Sequence, residues 1–132
     1  MGIGRFFDRV EKPADALMAY ELALRADPNL VAAQVNRGWN LYMIGNYELA
    51  EEVFLGVIQR DANSVAAFNL GLVYLARQKY DLGRESYVSA FADYGRSEAE
   101  RIGAIDDLDK LAAQRPQDEN LAEFVSSIRV KK

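Results

Sequence analysis

Side chains that could perform acid–base, nucleophilic or metal chemistry are sparse in this chain. It contains no histidine and no cysteine, so it offers no imidazole as a base or metal ligand and no disulfide framework. Acidic neighbours occur at Glu51-Glu52 and Asp106-Asp107. Successive residues of a helix point in different directions, so neither pair converges on a reacting atom. We therefore predict no enzyme activity, no catalytic residue, no metal site and no cofactor.

Charge and hydropathy argue against two classes of partner. The chain carries 16 Lys and Arg against 20 Asp and Glu, a net charge of −4, and shows no basic face that would release counterions from phosphate. No apolar run approaches the length of a membrane span. The first residues lack the apolar stretch of a signal peptide. We expect no nucleic-acid partner, no membrane span and a cytoplasmic location.

The side chains that remain are suited to binding. Asn36 and Asn69 occupy equivalent positions in two successive sequence repeats, and an asparagine amide offers both donors and an acceptor to the backbone of an extended peptide. Trp39 lies close to the first of them, and tryptophan is a frequent anchor of protein interfaces because it is large and rigid and has one polar group. These residues favour recognition of another protein.

Helices must position these residues, because apolar side chains recur at helical spacing through most of the chain. Pro13 suits the first turn of a helix, whereas Pro28 and Pro116 cannot continue one. Ser97 and Glu100 fit a capping box at the start of a helix. We predict one domain with helices at about 3–10, 13–26, 31–44, 47–60, 65–77, 80–93, 97–114 and 117–129.

A ladder of matched residues recurs three times along these helices. Its period of about 34 residues is typical of a helical solenoid, in which stacking buries the apolar faces. Small residues predict close helix crossings, and the bulky ones would fill the space between successive pairs. The matched sets are Gly4, Gly38 and Gly71; Phe7, Leu41 and Tyr74; Ala16, Ala50 and Gly83; Tyr20, Phe54 and Tyr87; and Ala23, Val57 and Ala90.

The pattern resembles the tetratricopeptide repeat (TPR), a helix–turn–helix unit of about 34 residues. The second repeat carries Asn36-Arg37-Gly38, Leu41, Gly45-Asn46-Tyr47, Ala50 and Phe54, and the first ends in Asp27-Pro28-Asn29. The resemblance covers about residues 3–95, with repeats at about 1–29, 30–63 and 64–96. It implies an all-α, right-handed α-solenoid of about three helix–turn–helix units, closed by two C-terminal capping helices at about 97–114 and 117–129.

The resemblance also implies where a partner binds, since these arrays generally use a concave surface lined by the first helix of each pair. In the family, a ladder of asparagines there holds peptide main chain. The residues that fall on or beside this face in the two complete pairs are Asn36, Asn69, Trp39, Tyr42, Met43, Val35, Phe68 and Leu72. We expect a peptide or helix of a partner protein to bind there.

Three other uses of these residues remain open at this stage. Asn36 could satisfy a backbone group within the array, and Trp39 could pack against a neighbouring helix. The last helix could occupy the groove instead of capping the third repeat. The family's carboxylate clamp is not expected, because Val65 and Asn69 stand where the third repeat would need basic residues.

The leading hypothesis is therefore a protein-binding adaptor or scaffold with no cofactor. The alternative is structural. The incomplete first repeat leaves an apolar edge at Ile3, Phe6 and Phe7 that could pair with another copy to give a homo-oligomer, or could mark the chain as a fragment of a larger protein.

Overall fold

The computed structural model describes residues 13–27 and 30–130, and every regular element in those ranges is an α-helix. The predicted helix at about 3–10, with Ile3, Phe6 and Phe7, lies outside the described residues. The helices are α1 Pro13–Ala26, α2 Val31–Met43, α3 Tyr47–Ile58, α4 Ser64–Ala76, α5 Tyr80–Arg101, α6 Ala104–Gln114 and α7 Glu119–Val130. Contacts divide the chain into two compact units, with the boundary between Ala66 and Ala67 in α4.

In the first unit, α2 packs against both α1 and α3. The turn between α2 and α3 places Gly45 at a φ of 86°, and the amides of Gly45 and Asn46 bond back to the carbonyls of Tyr42 and Leu41 at 3.0 and 2.8 Å. These two bonds form a Schellman motif, which ends a helix by satisfying its last carbonyls. Asn46 then caps α3, since its Oδ1 accepts the amide of Leu49 at 3.4 Å.

The crossing of α2 and α3 confirms a small residue at the predicted position. A Cβ added to Gly38 would lie 2.7 Å from Cε1 of Phe54, whose side chain is completely buried. Phe54 therefore packs over the glycine of its own helix pair, and its expected role between successive pairs stays a prediction. Only a residue without a Cβ lets the ring approach so closely.

In the second unit, α4 and α5 cross where a glycine of each helix lies close to the other. A Cβ on Gly71 of α4 would lie 3.4 Å from the carbonyl oxygen of Gly83, and one on Gly83 of α5 would lie 3.3 Å from that of Gly71. Tyr87 covers this crossing and is surrounded by three other rings. Their centroids lie 6.1, 6.5 and 5.4 Å away and belong to Phe68, Phe91 and Phe124. The α4–α5 pair is thus closed by a buried aromatic cluster.

Glycines also shape the path that follows. Gly95 interrupts the helical geometry of α5 with a φ of 84° and a ψ of 165°, and Gly103 has a φ of 79° directly before α6. The predicted single helix over 97–114 is wrong, because Gly103 in the left-handed region divides it. Gly95 breaks the helical backbone within Tyr80–Arg101, so a short second helix begins just after it, close to the predicted start at Ser97.

The last two helices pack on α5 and on each other, as capping helices would. Asp118 caps α7 by accepting the amide of Leu121 at 3.0 Å, and the apolar face predicted for this helix is buried at Leu121, Phe124, Val125 and Ile128. Phe124 lies on Tyr87, so α7 is held against the third helix pair. None of the helices in the described ranges is long and apolar enough to cross a bilayer.

Candidate protein-interaction site

The predicted site residues of the first unit lie along α2, and their exposure rises towards its C-terminal end. Val35, Asn36 and Trp39 are buried, at 6%, 7% and 7% exposure. Tyr42 is half-buried, and Met43 in the last turn is 48% exposed. A partner approaching α2 therefore reaches Met43 and part of Tyr42, whereas Val35, Asn36 and Trp39 are buried.

Aromatic stacking explains how this end of α2 is held. The rings of Trp39 and Tyr42 are stacked with centroids 5.3 Å apart, and Tyr47, the first residue of α3, lies 5.5 Å from Tyr42. Such offset pairs contribute about 0.5–1.5 kcal/mol each beyond the area that they bury. The sequence marks Tyr47 only as part of the repeat motif. Its place next to the turn is the signal that could have assigned it to this cluster.

One polar side chain of α2, that of Asn40, is also buried. The Nδ2 group of Asn40 donates to the main-chain oxygen of Asn36 at 2.9 Å, one helical turn earlier, so one of its polar atoms is satisfied locally. Asn40 is completely buried, and its Oδ1 accepts no hydrogen bond from the described residues. The predictions do not single out Asn40, because its position in the third repeat holds Val73 and no repeated pattern marks it.

The predicted site residues of the second unit are more deeply buried. Phe68 and Leu72 are each 1% exposed, and Phe68 makes an edge-to-face contact with Phe91 at 5.2 Å. Asn69 is 4% exposed, and its Nδ2 group finds no acceptor in the part of the chain that the structure describes. An unpaired buried amide donor is uncommon, since it loses its hydrogen bonds to water without replacement.

A polar groove that the sequence did not reveal lies elsewhere in the second unit. It has a volume of about 760 Å³ and continues into a second depression that shares Gln78, Tyr80 and Asn120. Its distinctive lining is four exposed primary amides, which we call the amide groove: Gln78, Gln114, Gln117 and Asn120. The remaining lining residues are Tyr80, Arg115, Pro116, Asp118 and Glu119.

Hydrogen bonds fix the floor of the amide groove. The phenol of Tyr80 donates to Oδ2 of Asp118 at 2.8 Å, while the other oxygen of this carboxylate caps α7. This hydrogen bond raises the pKa of Tyr80, because the carboxylate accepts from the protonated phenol and repels its anion. Arg115 donates to the main-chain oxygen of Ala76 at 2.5 Å and so places a cation at the C-terminal end of α4.

Gln78 is the strained residue of this groove. Its φ is 62°, and the amides of Gln78 and Lys79 bond to the carbonyls of Leu75 and Tyr74 at 3.0 and 2.8 Å. These bonds repeat, one helix pair later, the Schellman motif in which Gly45 occupies the left-handed position. A left-handed backbone costs a residue with a side chain roughly 1–2 kcal/mol, a cost that glycine does not incur.

The arrangement offers binding groups and little that could act on a substrate. Within residues 13–27 and 30–130, no three acidic side chains are grouped so that they could hold a metal ion. Four amides, one phenol and three charged side chains line the amide groove, whereas aromatic and apolar side chains dominate the C-terminal end of α2. The chemistry available at these surfaces is hydrogen bonding, charge pairing and apolar packing.

No protein-family model and no curated protein sequence matches the chain. Solved structures do match. The MamA RS-1 ArsTM double mutant superposes with a TM-score of 0.63 and 20% identity, covering 98% of this chain and 80% of that one. A crystal structure of MamA gives a TM-score of 0.62 and 20% identity, covering 95% of this chain and 81% of its own.

MamA is a TPR-like protein. The structural similarity to MamA extends over nearly the whole of this chain. The packing of this chain shows the same architecture independently, in helix pairs that cross at Gly38 and at Gly71. The fold is therefore an all-α helical repeat of the TPR type, as the spacing of the ladder predicted. With so low a sequence identity, the comparison establishes the fold alone.

Proposed function

We propose that this chain is a protein-interaction module that binds a peptide or helix of a partner protein, with Tyr42 and Met43 of α2 as its accessible contact. The observation that carries the proposal is the exposure of Met43, 48%, directly beside an aromatic stack whose Trp39 is 7% exposed. Interfaces are enriched in aromatic residues and methionine, and an anchor is most effective when rigid neighbours support it.

Each residue would have a distinct role in such an interface. Met43 adapts its flexible thioether to an apolar side chain of the partner, and Tyr42 adds a flat surface with a hydroxyl at its edge. Trp39, stacked on Tyr42, would keep that ring in place. In the second unit, Phe68 and Leu72 would similarly support Asn69.

The asparagines are proposed to pair with the partner's main chain. Asn69 favours this role because its buried Nδ2 donor lacks an acceptor among the described residues, so a carbonyl from a ligand would relieve an unfavourable state. Asn36 and Asn69 are 7% and 4% exposed, which means that the surface must open locally to admit a ligand. That requirement lowers the apparent affinity, and we expect a Kd of about 1–100 μM for an isolated peptide.

Peptides selected from a random linear library on the immobilised protein would test the proposal. Their affinities are then measured by calorimetry for the parent, Met43→Ala and Asn69→Ala. Met43→Ala should weaken binding about three- to tenfold, without loss of stability, because the side chain is already half exposed. Val88→Ala is the control, since Val88 is an exposed apolar residue on α5, at 58% exposure, and lies outside the proposed contacts.

Asn69→Ala separates recognition from folding. Removing an unpaired buried donor should leave the free energy of unfolding unchanged or raise it, while weakening peptide binding. Trp39→Ala would be less informative, since deleting a buried tryptophan costs about 3–5 kcal/mol of stability. Selected peptides that bind Met43→Ala as tightly as the parent would contradict the contact on α2, and those that bind Asn69→Ala as tightly would contradict the role proposed for Asn69 in the second unit.

A self-assembly function is the second candidate, and one observation favours it. Met18 and Leu22 lie one turn apart on α1 and are 66% and 57% exposed, so they form an apolar stripe on this helix. We propose that a second copy could cover this stripe. Sedimentation at rising concentration should then show a dimer that Leu22→Glu abolishes. A monomer throughout would exclude this function without affecting the peptide site.

A further inference from the structure

The amide groove of the second unit is separate from the proposed contact on α2 and has a different chemistry. Its volume of about 760 Å³ lies within the range of ordinary ligand sites. The groups that converge on it are four exposed amides, Gln78, Gln114, Gln117 and Asn120. Each amide can donate and accept at once, so together they match a ligand that alternates N–H and C=O groups.

Gln78 gives independent support for a role in binding. The same turn in the preceding helix pair holds Gly45, with the same two hydrogen bonds and nothing within 4 Å of a Cβ built on it. A glutamine in the left-handed region is disfavoured relative to glycine at this position. The strain accompanies a side chain that lines both the groove and its continuation. A strained residue in a cavity points to a function served by its side chain.

Charge identifies the kind of ligand. The cations Lys79, Arg84 and Arg115 are balanced along the groove and its continuation by the anions Asp81, Asp118 and Glu119. Several of them also act within the protein. Arg115 bonds to the end of α4, Asp118 accepts from Tyr80 and caps α7, and Arg84 pairs with Asp81 at 3.8 Å. The charged side chains of the groove and its continuation therefore sum to zero, with no excess of either sign to select a charged ligand.

We propose that the amide groove binds an extended, uncharged polar segment of a partner protein through that segment's main chain. The amides of Gln78 and Gln117 pair with backbone N–H and C=O groups, and Gln114 and Asn120 extend the same pattern. The hydrogen bond between Tyr80 and Asp118 keeps the floor rigid, which reduces the entropy lost on binding. This inference does not depend on the proposed contact at Met43.

A restricted peptide library tests the inference directly. Heptapeptides built only from Gly, Ser, Thr, Asn and Gln are displayed and selected on the full chain, beside a library of apolar heptapeptides. Enriched sequences are synthesised with blocked ends and titrated against the parent, Gln78→Gly, Gln117→Ala and Gln59→Ala. Gln59 is an exposed glutamine that follows α3 and does not line the groove, so it is the matched control.

Gln78→Gly and Gln117→Ala should each raise the Kd about three- to tenfold, which is the effect of losing one neutral hydrogen bond, and Gln59→Ala should not change it. Gln78→Gly should melt at the same temperature as the parent or higher, because its strain is relieved, so weaker binding cannot be ascribed to unfolding. Met43→Ala should bind these peptides normally. The inference is overturned if no polar heptapeptide is enriched over the apolar library, if Gln78→Gly binds the selected peptides undiminished, or if Gln59→Ala weakens binding equally.

Discussion

Replacing Gly71 with alanine tests the closest contact in the second unit. The added Cβ would lie 2.8 and 2.9 Å from Cδ2 and Cε2 of Tyr87 and 3.4 Å from the carbonyl oxygen of Gly83. Carbon atoms in contact are normally about 3.5–4.0 Å apart, so the ring or the helix must move by roughly 1 Å. Tyr87 is 2% exposed and surrounded by aromatic rings, so the movement is resisted on several sides.

The size of the effect follows from two opposed terms. Alanine favours a helix interior over glycine by up to about 1 kcal/mol, whereas overpacking a close crossing costs about 1–3 kcal/mol. Gly56→Ala in α3 isolates the helix preference, because nothing lies within 4 Å of a Cβ at Gly56 and no crossing is overpacked there. We expect Gly56→Ala to stabilise by about 0.5–1 kcal/mol, and Gly71→Ala to be less stable than it by about 1–3 kcal/mol.

Urea unfolding followed by far-UV circular dichroism measures this difference. With a denaturant slope of about 1–3 kcal/mol per M, the midpoints of the two variants should be separated by roughly 0.5–1.5 M. In a Tyr87→Leu background, which removes the ring, the cost of Gly71→Ala should shrink. If Gly71→Ala raised the midpoint as much as Gly56→Ala does, the close approach of α4 and α5 would not be as described.

Three further outcomes follow from the backbone and hydrogen bonds of the second unit. Gly95→Ala should lower stability by about 1–3 kcal/mol in thermal melts, because a φ of 84° with a ψ of 165° is open only to glycine; an unchanged melting temperature would refute that reason. The raised pKa of Tyr80 means that its hydrogen bond to Asp118 stabilises the fold below about pH 10, the ordinary value, and that this contribution is lost as the pH rises through the folded-state pKa. The chain has seven tyrosines, so the Tyr80 titration is taken as the difference in tyrosinate absorbance between each protein and its Tyr80→Phe variant. Its midpoint should fall in the Asp118→Asn background, and an identical difference curve would contradict the expected shift. Arg115→Gln should destabilise the protein by about 0.5–2 kcal/mol in urea, because it removes a cation bonded to the oxygen of Ala76. Lys110→Gln, at an exposed cation of α6, serves as the comparison and should leave the midpoint unchanged.

The spacing of the matched residues predicted the helix pairs well, because each pair packs in the same way and needs the same kinds of residue at the same positions. A glycine recurring at 38 and 71 marks the point where a partner side chain approaches, and Phe54 and Tyr87 occupy those points. The turn after α2 was visible in Gly45-Asn46, and Asn63, one of two suggested caps, accepts the amide of Ala66 at 2.9 Å. These features depend on neighbours in sequence or on a fixed repeat, so one sequence contains enough information to find them.

The region after Tyr94 could be read only in part in this way. Gly95 and Gly103 both interrupt the helical backbone there. The first break was predicted, since the helix expected to begin near Ser97 follows Gly95 closely. The second break, at Gly103, lies within a continuous helical spacing of apolar residues, so the local sequence did not reveal it.

The sequence predicted which helix faces carry the candidate site, but not which residues of those faces are exposed. Periodicity placed Asn36 and Trp39 on one face of α2, yet it could not show that both would be buried while Met43 remained exposed. On α4 apolar residues occupy nearly every side, which indicates a helix that is buried all round. Choosing one side of such a helix therefore does not identify an exposed binding face. The amide groove joins residues far apart in the sequence, and its only local signal was Gln78 at the place of Gly45.

Trp39 has a spectroscopic consequence. It is the single indole of the chain, it belongs to the first unit, and it is stacked on Tyr42 in a site shielded from water. Its emission therefore reports on the first unit alone. Far-UV circular dichroism follows the helices of both units in the same unlabelled sample, so the coincidence or separation of the two traces measures how cooperatively the halves melt.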